Sequence, residues 1–423
     1  MRAWAAGGPQ NGVVAHPHLP DPSAHDALAV PAATRRWLAV TAISLGVLTL
    51  IGAALLRPTG DDRPDPEQLG LASELYDATV SDTDQGPCSG TRPSEGVPCD
   101  YVTIELQSGP DEGDAARLEI ALGAANPNLS AGDKIVVSAS ETGGSTAGPS
   151  YQFADRQRRP VLLGLAVLFA IIVVMLARLR GLAALGGLVG SVVVLLTFAL
   201  PAILDGRPPV LVAIVAASAI AFLALYLAHG FTPMTTVALI GTLAALALTA
   251  VLAAAFVALV QFSGLATEEA LFLEAAGGGI DLQGLILAGV VIGALGAIDD
   301  MTVTQASAIW ELRAADPDMP FAQLYASGLR IGRDHVASTV NTLLLAYAGA
   351  SMPLLLLFVI SAQSLGTVAN SEVVAVEIVR TLVGSIGLVS AVPLTTWLAA
   401  RVLRRGEHHE APAEPGIAKR LPE

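Results

Sequence analysis

The feature that most constrains this chain is a series of long apolar runs with few or no charged residues. A bilayer core about 30 Å thick requires about 20 apolar residues per helix, and eight runs approach that length. They lie at 37–56, 160–177, 181–204, 209–228, 232–260, 282–297 with an amphipathic continuation to 312, 339–361 and 377–403. The pattern predicts an α-helical polytopic membrane protein with about eight transmembrane helices.

The composition favours the same fold class and argues against others. Hydrophobic residues make up 53% of the 423 residues and charged residues only 14%, against about 25% charged in an ordinary soluble domain. The 41 glycines suit closely packed membrane helices, where small residues line helix contacts. The formal net charge of −14 argues against a nucleic-acid partner, because phosphates require clustered lysine and arginine.

Arginines at the span ends predict the topology, because cytoplasmic connections carry the excess of basic residues. They precede the first span, separate the second from the third and the sixth from the seventh, and follow the eighth. These are Arg35, Arg36, Arg178, Arg180, Arg313, Arg330, Arg333, Arg401, Arg404 and Arg405. Both termini are therefore expected in the cytoplasm. Arg156, Arg158 and Arg159 are an exception, since they precede the second span on the expected outer side.

Composition also divides the chain into regions. Residues 1–34 are rich in Gly, Pro, Ala and His without periodicity, which predicts a disordered cytoplasmic leader. Residues 35–56 are expected to form the first transmembrane helix, retained as an anchor because no clear cleavage site follows it. An extracytoplasmic domain at 57–159, a seven-helix membrane block at 160–403 and a cytoplasmic tail at 404–423 complete the prediction.

The region 57–159 breaks the membrane pattern. It holds 18 acidic residues against eight basic ones. Period-two alternation at 101–107 and 117–122 predicts half-buried strands. Together with 74–80, 134–138 and 151–153 these make five short strands separated by turn residues, which predicts a small all-β domain. We favour an OB-like barrel over a sandwich.

Cys88 and Cys99 are the two cysteines of the chain, and both lie in this domain. On the oxidising side of the membrane, such a pair is expected to form a disulfide. A metal site would need more ligands at suitable spacing, so no metal is predicted.

One face of the sixth span carries small and polar residues. Positions three or four apart fall within an arc of about 80° on a helix. The residues are Gly289, Gly293, Gly296, Asp300, Thr304, Ser307 and Glu311. The glycines are predicted to allow close approach of a neighbouring helix.

Asp299 and Asp300 lie near the inner boundary of the predicted hydrocarbon region. A carboxylate within the membrane is costly unless it is paired, hydrated or protonated, and it marks a candidate functional site. Three interpretations remain open from the sequence: solvation at the cytoplasmic interface, a place on an ion, proton or substrate pathway, and catalysis.

Six polar residues enter the membrane together at the start of the seventh span: Arg333, Asp334, His335, Ser338, Asn341 and Thr342. Arg333 is positioned to pair with Asp299 or Asp300 if the sixth and seventh helices are neighbours. An ordinary cytoplasmic loop with interface charges is the alternative. Pro353 and Pro393 predict kinks in the seventh and eighth spans.

Two segments carry a resemblance to a known family. GALGAIDDMTVTQASAIWEL at 293–312 and IGRDHVASTVNTLLLAYAGASMPLLL at 331–356 resemble the YibE/F family of bacterial polytopic membrane proteins. The resemblance extends over about 71–400, and the long leader and the insert between the cysteines depart from it. It implies a multi-pass protein of the bacterial plasma membrane with the β-domain outside, and it implies no activity.

Two functions remain as hypotheses. The first is a secondary transporter or permease for a small solute or ion. The second is a membrane-anchored binding, sensing or scaffold protein whose β-domain binds an extracytoplasmic partner. Walker A, GxSxG and HExxH motifs are absent from the sequence. An intramembrane aspartyl protease would need facing aspartates on different helices, so neither an enzyme nor a cofactor is indicated.

Overall fold

The computed structural model describes residues 30–60, 74–88, 98–123, 126–140, 150–275 and 279–404. These residues form a set of long apolar helices and a separate five-stranded sheet. The predicted leader lies almost entirely outside the described residues, as does the predicted tail after residue 404.

The sheet domain contains all five predicted strands, in longer form. They are β1 Glu74–Pro87, β2 Pro98–Leu106, β3 Ala115–Ala121, β4 Lys134–Ser140 and β5 Ser150–Arg156. The strands are antiparallel in the order β3-β2-β1-β4-β5. The alternating apolar residues close a core on one face, because successive side chains point to opposite sides of a strand. That core contains Val80, Val102, Ile104, Leu118, Ile135 and Val137.

The curvature of this sheet brings β3 and β5, its two edge strands, close together. The domain is therefore a half-barrel, which agrees with the predicted all-β domain. Its OB-like identity stays a prediction. Cys88, directly after β1, is bonded to Cys99 in β2 with their Cα atoms 5.1 Å apart. The predicted disulfide is confirmed.

The three arginines that contradicted the topology rule have partners in the β-domain. Arg156 contacts Asp133 at 3.0 Å, Arg158 contacts Asp155 at 2.6 Å and Arg159 lies 3.8 Å from Asp77. The positive charges of these three arginines are therefore offset by neighbouring carboxylates.

The apolar helices are α1 Ala32–Leu55, α2 Arg159–Val194 continuing through a π-helical turn into α3 Leu200–Leu204, α4 Pro209–His229, α5 Pro233–Val260, α7 Leu282–Ala315, α8 Phe321–Ala350, α9 Met352–Ile360 and α11 Glu372–Val402. Two short helices, α6 Glu268–Ala275 and α10 Leu365–Asn370, lie in the connections. Among the described residues, six helices are long and apolar enough to cross a membrane, or seven if the bent pair α8 and α9 is one span. The predicted number of eight is therefore not confirmed.

The difference from eight arises at the second and third predicted spans. They form one element, Arg159–Leu204, of 46 residues, which is interrupted by the non-helical backbone of Arg178 (φ 53°, ψ −130°). The predicted kink before Pro353 is present as a 64° bend between α8 and α9. At Pro393 the helix α11 continues without interruption, so the kink expected there stays a prediction.

Small residues hold the helix core together. α5, α7 and α11 pack against one another, and α4 and α8 pack on this group. Gly241 of α5 lies against the Thr395 side chain, and Gly387 of α11 lies against Thr249. Helices with small residues at their contacts approach closely, which raises van der Waals contact where no hydrophobic effect operates between helices.

Removing the disulfide should destabilise the outer domain. In the full-length Cys88→Ser/Cys99→Ser variant we expect unfolding of the β-domain to cost about 2–3 kcal/mol less than in the wild type, because an eleven-residue separation no longer restricts the unfolded chain. Denaturant unfolding of the purified protein measures this. Reductant should destabilise the wild type and leave the variant unchanged, and a wild type insensitive to reductant would contradict the prediction.

The raised pKa of Tyr151 predicts that the β-domain loses stability at alkaline pH. Partial burial, together with the hydrogen bond that its hydroxyl donates to Asp111 (2.6 Å), raises the pKa of Tyr151 from 10.0 to about 12. The folded state thus favours the neutral phenol. The stabilisation that neutral Tyr151 gives to the folded state is complete below pH 10 and is lost as the pH rises towards 12. Tyr151→Phe should flatten the stability profile over that window. Unfolding midpoints against pH test this, and an unchanged alkaline decline in the variant would refute it.

Candidate functional site

Helix α7 positions the candidate site. The Asp281 side chain caps its start by accepting a hydrogen bond from the Gly284 N–H at 2.9 Å. At its other end, the buried Arg313 donates to the carbonyls of Pro317 and Met319, each at 2.9 Å. Both ends of the helix are therefore fixed.

The two faces of α7 differ in burial, and no neighbouring helix in the described part of the chain covers Gly296, where close approach was predicted. Ile298, Met301 and Ile309 are buried against the other helices. The face with the glycines, Asp300, Thr304, Ser307 and Glu311 remains partly or fully exposed. The small polar residues thus border open space instead of the packed core.

Asp299 lies at the contact between α7 and α5. The Thr242 hydroxyl oxygen is 3.4 Å from Asp299 Oδ1 and 2.6 Å from the hydroxyl oxygen of Thr302. Thr242 and Thr302 are fully buried. The Asp299 carboxylate therefore lies beside the Thr242 hydroxyl of α5, whereas the Thr302 hydroxyl donates to the Asp299 backbone carbonyl at 2.9 Å.

The depth of this cluster follows from helix geometry. Thr242 is nine residues after Pro233, the first residue of α5, and a helix rises 1.5 Å per residue, which places Thr242 about 13 Å from that end. The remaining 18 residues of α5 extend about 27 Å in the other direction. The Asp299 cluster thus lies well inside the length of a helix that could cross a membrane.

Asp300 points away from this cluster towards α8. The structure pairs it with His335, whose Nε2 is 3.9 Å from Asp300 Oδ2, and not with Arg333 as the sequence had indicated. Next to this pair is a cavity of about 380 Å³ lined by Thr304, Gln305, Ile331, Asp334, His335 and Ser338. Four of the predicted site residues therefore line one cavity, and Asp300 lies beside it.

Close packing of α8 on α7 forms the floor of this cavity. The buried Gln305 donates from Nε2 to the Gly328 carbonyl at 2.8 Å. A Cβ on Gly332 would lie 2.8 Å from Gln305 Oε1 and closer still to Val392, so a larger residue here would require these side chains to shift. Sequence analysis missed Gln305, Thr302 and Thr242, although Gln305 and Thr302 could have been found as polar residues within the apolar stripe that contains Ile298 and Ile309.

The glycines of α7 face polar groups on α8 and α11. A Cβ on Gly293 would lie 2.9 Å from the Tyr347 hydroxyl oxygen, and one on Gly289 would lie 3.4 Å from an Arg380 nitrogen. Arg380 forms an ion pair with Glu377 at 2.6 Å. Polar groups therefore accompany the glycine face from Asp300 to Gly289.

Some predicted site residues are not part of the cavity lining. Asn341 lies on α8 beyond Ser338, and Arg333 is exposed. Ser307 and Glu311 continue the polar face of α7 beyond Thr304. The structure therefore concentrates the predicted set on the stretch between Asp299 and Thr304 and on one turn of α8.

The donor set favours a hard cation or a proton over an anion. Carboxylates and hydroxyls are the oxygen ligands that such ions prefer. Among the described residues, side chains that meet the geometry of a metal cluster occur at Cys88, Cys99 and Glu119. There the cysteines form the disulfide, so that group does not make a metal site.

The two buried threonines should be coupled energetically. We expect Thr242→Val and Thr302→Val each to destabilise the protein, with a coupling of about 0.6–1.7 kcal/mol in a double-mutant cycle, as for hydrogen bonds between membrane helices. Unfolding of purified protein in detergent measures this. Thr304→Val is the control, because its hydroxyl bonds only to carbonyls of its own helix. Strictly additive effects of the two buried substitutions would contradict the prediction.

Comparison with known proteins places the membrane helices in a family. No curated protein and no solved structure matches the chain. The family of YibE/F-like proteins matches residues 165–405, which include the whole Asp299–Thr304 region, α8 and α11, and exclude α1 and the β-domain. Because this match spans more than half of the chain, the protein belongs to the YibE/F-like family.

Proposed function

We propose that this protein is a secondary transporter or permease that moves a small ion or solute past Asp299 and Asp300. The observation that carries the proposal is the position of Asp299 at the contact of α7 with α5, where its carboxylate lies 3.4 Å from the buried Thr242 hydroxyl. An ionisable side chain at such depth is costly and is retained mainly where it serves a pathway. The oxygen-rich surroundings favour a small cation or a proton as the transported species.

The pathway follows the glycine face of α7. It begins at the cavity beside His335 and Asp300 and passes Gly296 and Gly293. It ends near Tyr347 and the ion pair of Arg380 with Glu377. Glycines leave room along the helix surface, and the bend between α8 and α9 resembles the broken helices that surround many transport sites.

The proposal also includes a membrane topology of eight crossings. A straight helix of 46 residues would be about 69 Å long, more than twice the hydrocarbon thickness, so Arg159–Leu204 with its break at Arg178 suits two crossings. Together with the α8–α9 pair this gives eight crossings in a bacterial plasma membrane, both termini inside and an OB-like domain outside. The disulfide and the distribution of arginines support that orientation.

Ion flux into proteoliposomes tests the proposal. We expect wild-type protein to conduct H⁺ or Na⁺ under an imposed gradient, measured with pH- and Na⁺-sensitive dyes inside the vesicles. Asp299→Asn should reduce this flux at least tenfold, because an amide carries no charge and binds cations weakly. The control is Asp316→Asn, which changes an exposed carboxylate beyond the end of α7.

The outcome that contradicts transport is equally definite. Proteoliposomes in which wild type and Asp299→Asn give the same flux as empty vesicles would remove the support for cation or proton movement. Circular dichroism and size-exclusion profiles of each variant show that a loss of flux does not reflect unfolding.

A second candidate function has its own observation. Beside the disulfide, a cavity of about 460 Å³ is lined by Pro87, Tyr101, Arg117, Leu118 and Glu119. The Arg117 guanidinium lies 4.1 Å from the centre of the Tyr101 ring. An aromatic ring with an arginine resembles the groups that dominate protein interfaces. If the β-domain acts by binding a partner, deletion of 65–154 should abolish function while Asp299→Asn has no effect.

A further inference from the structure

A second cavity lies where α1 meets the connection between α4 and α5. Its volume is about 320 Å³. It is lined by Arg35, Leu38, Ala39, Ala42, Ile43, Tyr226, Phe231, Thr232, Pro233 and Thr236. None of these residues belongs to the candidate transport site.

The cavity forms because α1 contacts the other helices only locally. Leu38 is buried to 2% exposure against α5 and α11 neighbours, whereas most of α1 is exposed. α4 ends at Gly230, whose φ of 74° turns the chain, and the Thr232 side chain caps α5 by accepting from the Thr235 N–H at 3.1 Å. The turn leaves a recess beside the first turns of α1.

One end of the recess is cationic and polar. Arg35 forms no ion pair with any described residue. The same cavity is lined by Tyr226 and Thr236, whose hydroxyl oxygens are 3.1 Å apart, and by Thr232. Guanidinium and hydroxyl groups together are donors suited to a phosphate.

On the α1 side, the recess beyond Arg35 is apolar, with Leu38, Ala39, Ala42 and Ile43 in its lining. Ile43 is 65% exposed and lies eight residues from Arg35, about 12 Å along the helix. Phe231 is 88% exposed and stacks on Tyr226 with ring centres 4.6 Å apart. Aromatic residues at a helix end are typical of the membrane interface.

We infer that this recess binds an anionic phospholipid from the adjacent leaflet. Arg35 and the threonine hydroxyls hold the phosphate, and Leu38, Ala42 and Ile43 contact the acyl chain. An amphipathic site of this length fits a lipid better than free phosphate, which has no apolar part. The α1 side of the site lies outside the residues that match the family, whereas its α4–α5 side lies within them. The inference does not depend on the transport proposal.

Native mass spectrometry of the full-length protein with added lipid tests the inference. We expect wild type to retain phosphatidylglycerol more strongly than phosphatidylcholine, and Arg35→Gln to weaken that retention about five- to tenfold, as loss of one basic contact at a membrane surface predicts. The matched control is Arg36→Gln, which removes the neighbouring positive charge outside the cavity lining. It should retain the lipid within about twofold of wild type.

A second variant keeps the positive charge of Arg35 and fills the apolar part of the recess. Ala42→Phe should also reduce phosphatidylglycerol retention, with circular dichroism unchanged from wild type. Equal losses in Arg35→Gln and Arg36→Gln would show a general charge effect and overturn the inference. Unchanged retention in Arg35→Gln, equal binding of phosphatidylcholine, or full displacement of the lipid by millimolar inorganic phosphate would also overturn it.

Discussion

The close approach of α5, α7 and α11 is the constraint on which the rest of this structure depends. Gly241 and Gly387 lie directly against threonine side chains of neighbouring helices, so the backbones come close enough for interhelical hydrogen bonds. In hydrocarbon no water satisfies a polar group, and only a neighbouring helix can do so. The same small residues that pack the bundle therefore allow a carboxylate at Asp299.

The two adjacent aspartates of α7 have different surroundings because a helix turns 100° per residue. The Asp299 carboxylate lies beside the buried Thr242 hydroxyl at the contact with α5, and Asp300 faces His335 and open space. One carboxylate is thus held within the bundle while its neighbour meets the cavity. An ion or proton passing between them would move from a hydrated group to a desolvated one.

Sequence reasoning succeeded where the signal, such as residue alternation or a change in charge content, lies within one segment of the chain. Alternation predicted all five strands. The spacing of the α7 glycines predicted a helix contact, whereas Gly293 and Gly296 lie on an exposed face. Sequence reasoning failed where partners are distant in the chain. Thr242 and Thr302 are 60 residues apart, and a threonine in an apolar helix carries no signal of what it faces. The choice of His335 over Arg333 depends on how α8 rotates against α7.

The sequence by itself determined that this chain is a membrane protein with a separate β-domain and a disulfide, because hydrophobic length, residue alternation and cysteine content are properties of single segments. Only the tertiary structure decided which polar groups meet. The helix contacts that bring Asp299 to Thr242, and Arg35 to the recess beside Tyr226, depend on packing between segments far apart in the chain. Burial and partnership are set by that packing, and no local pattern encodes them.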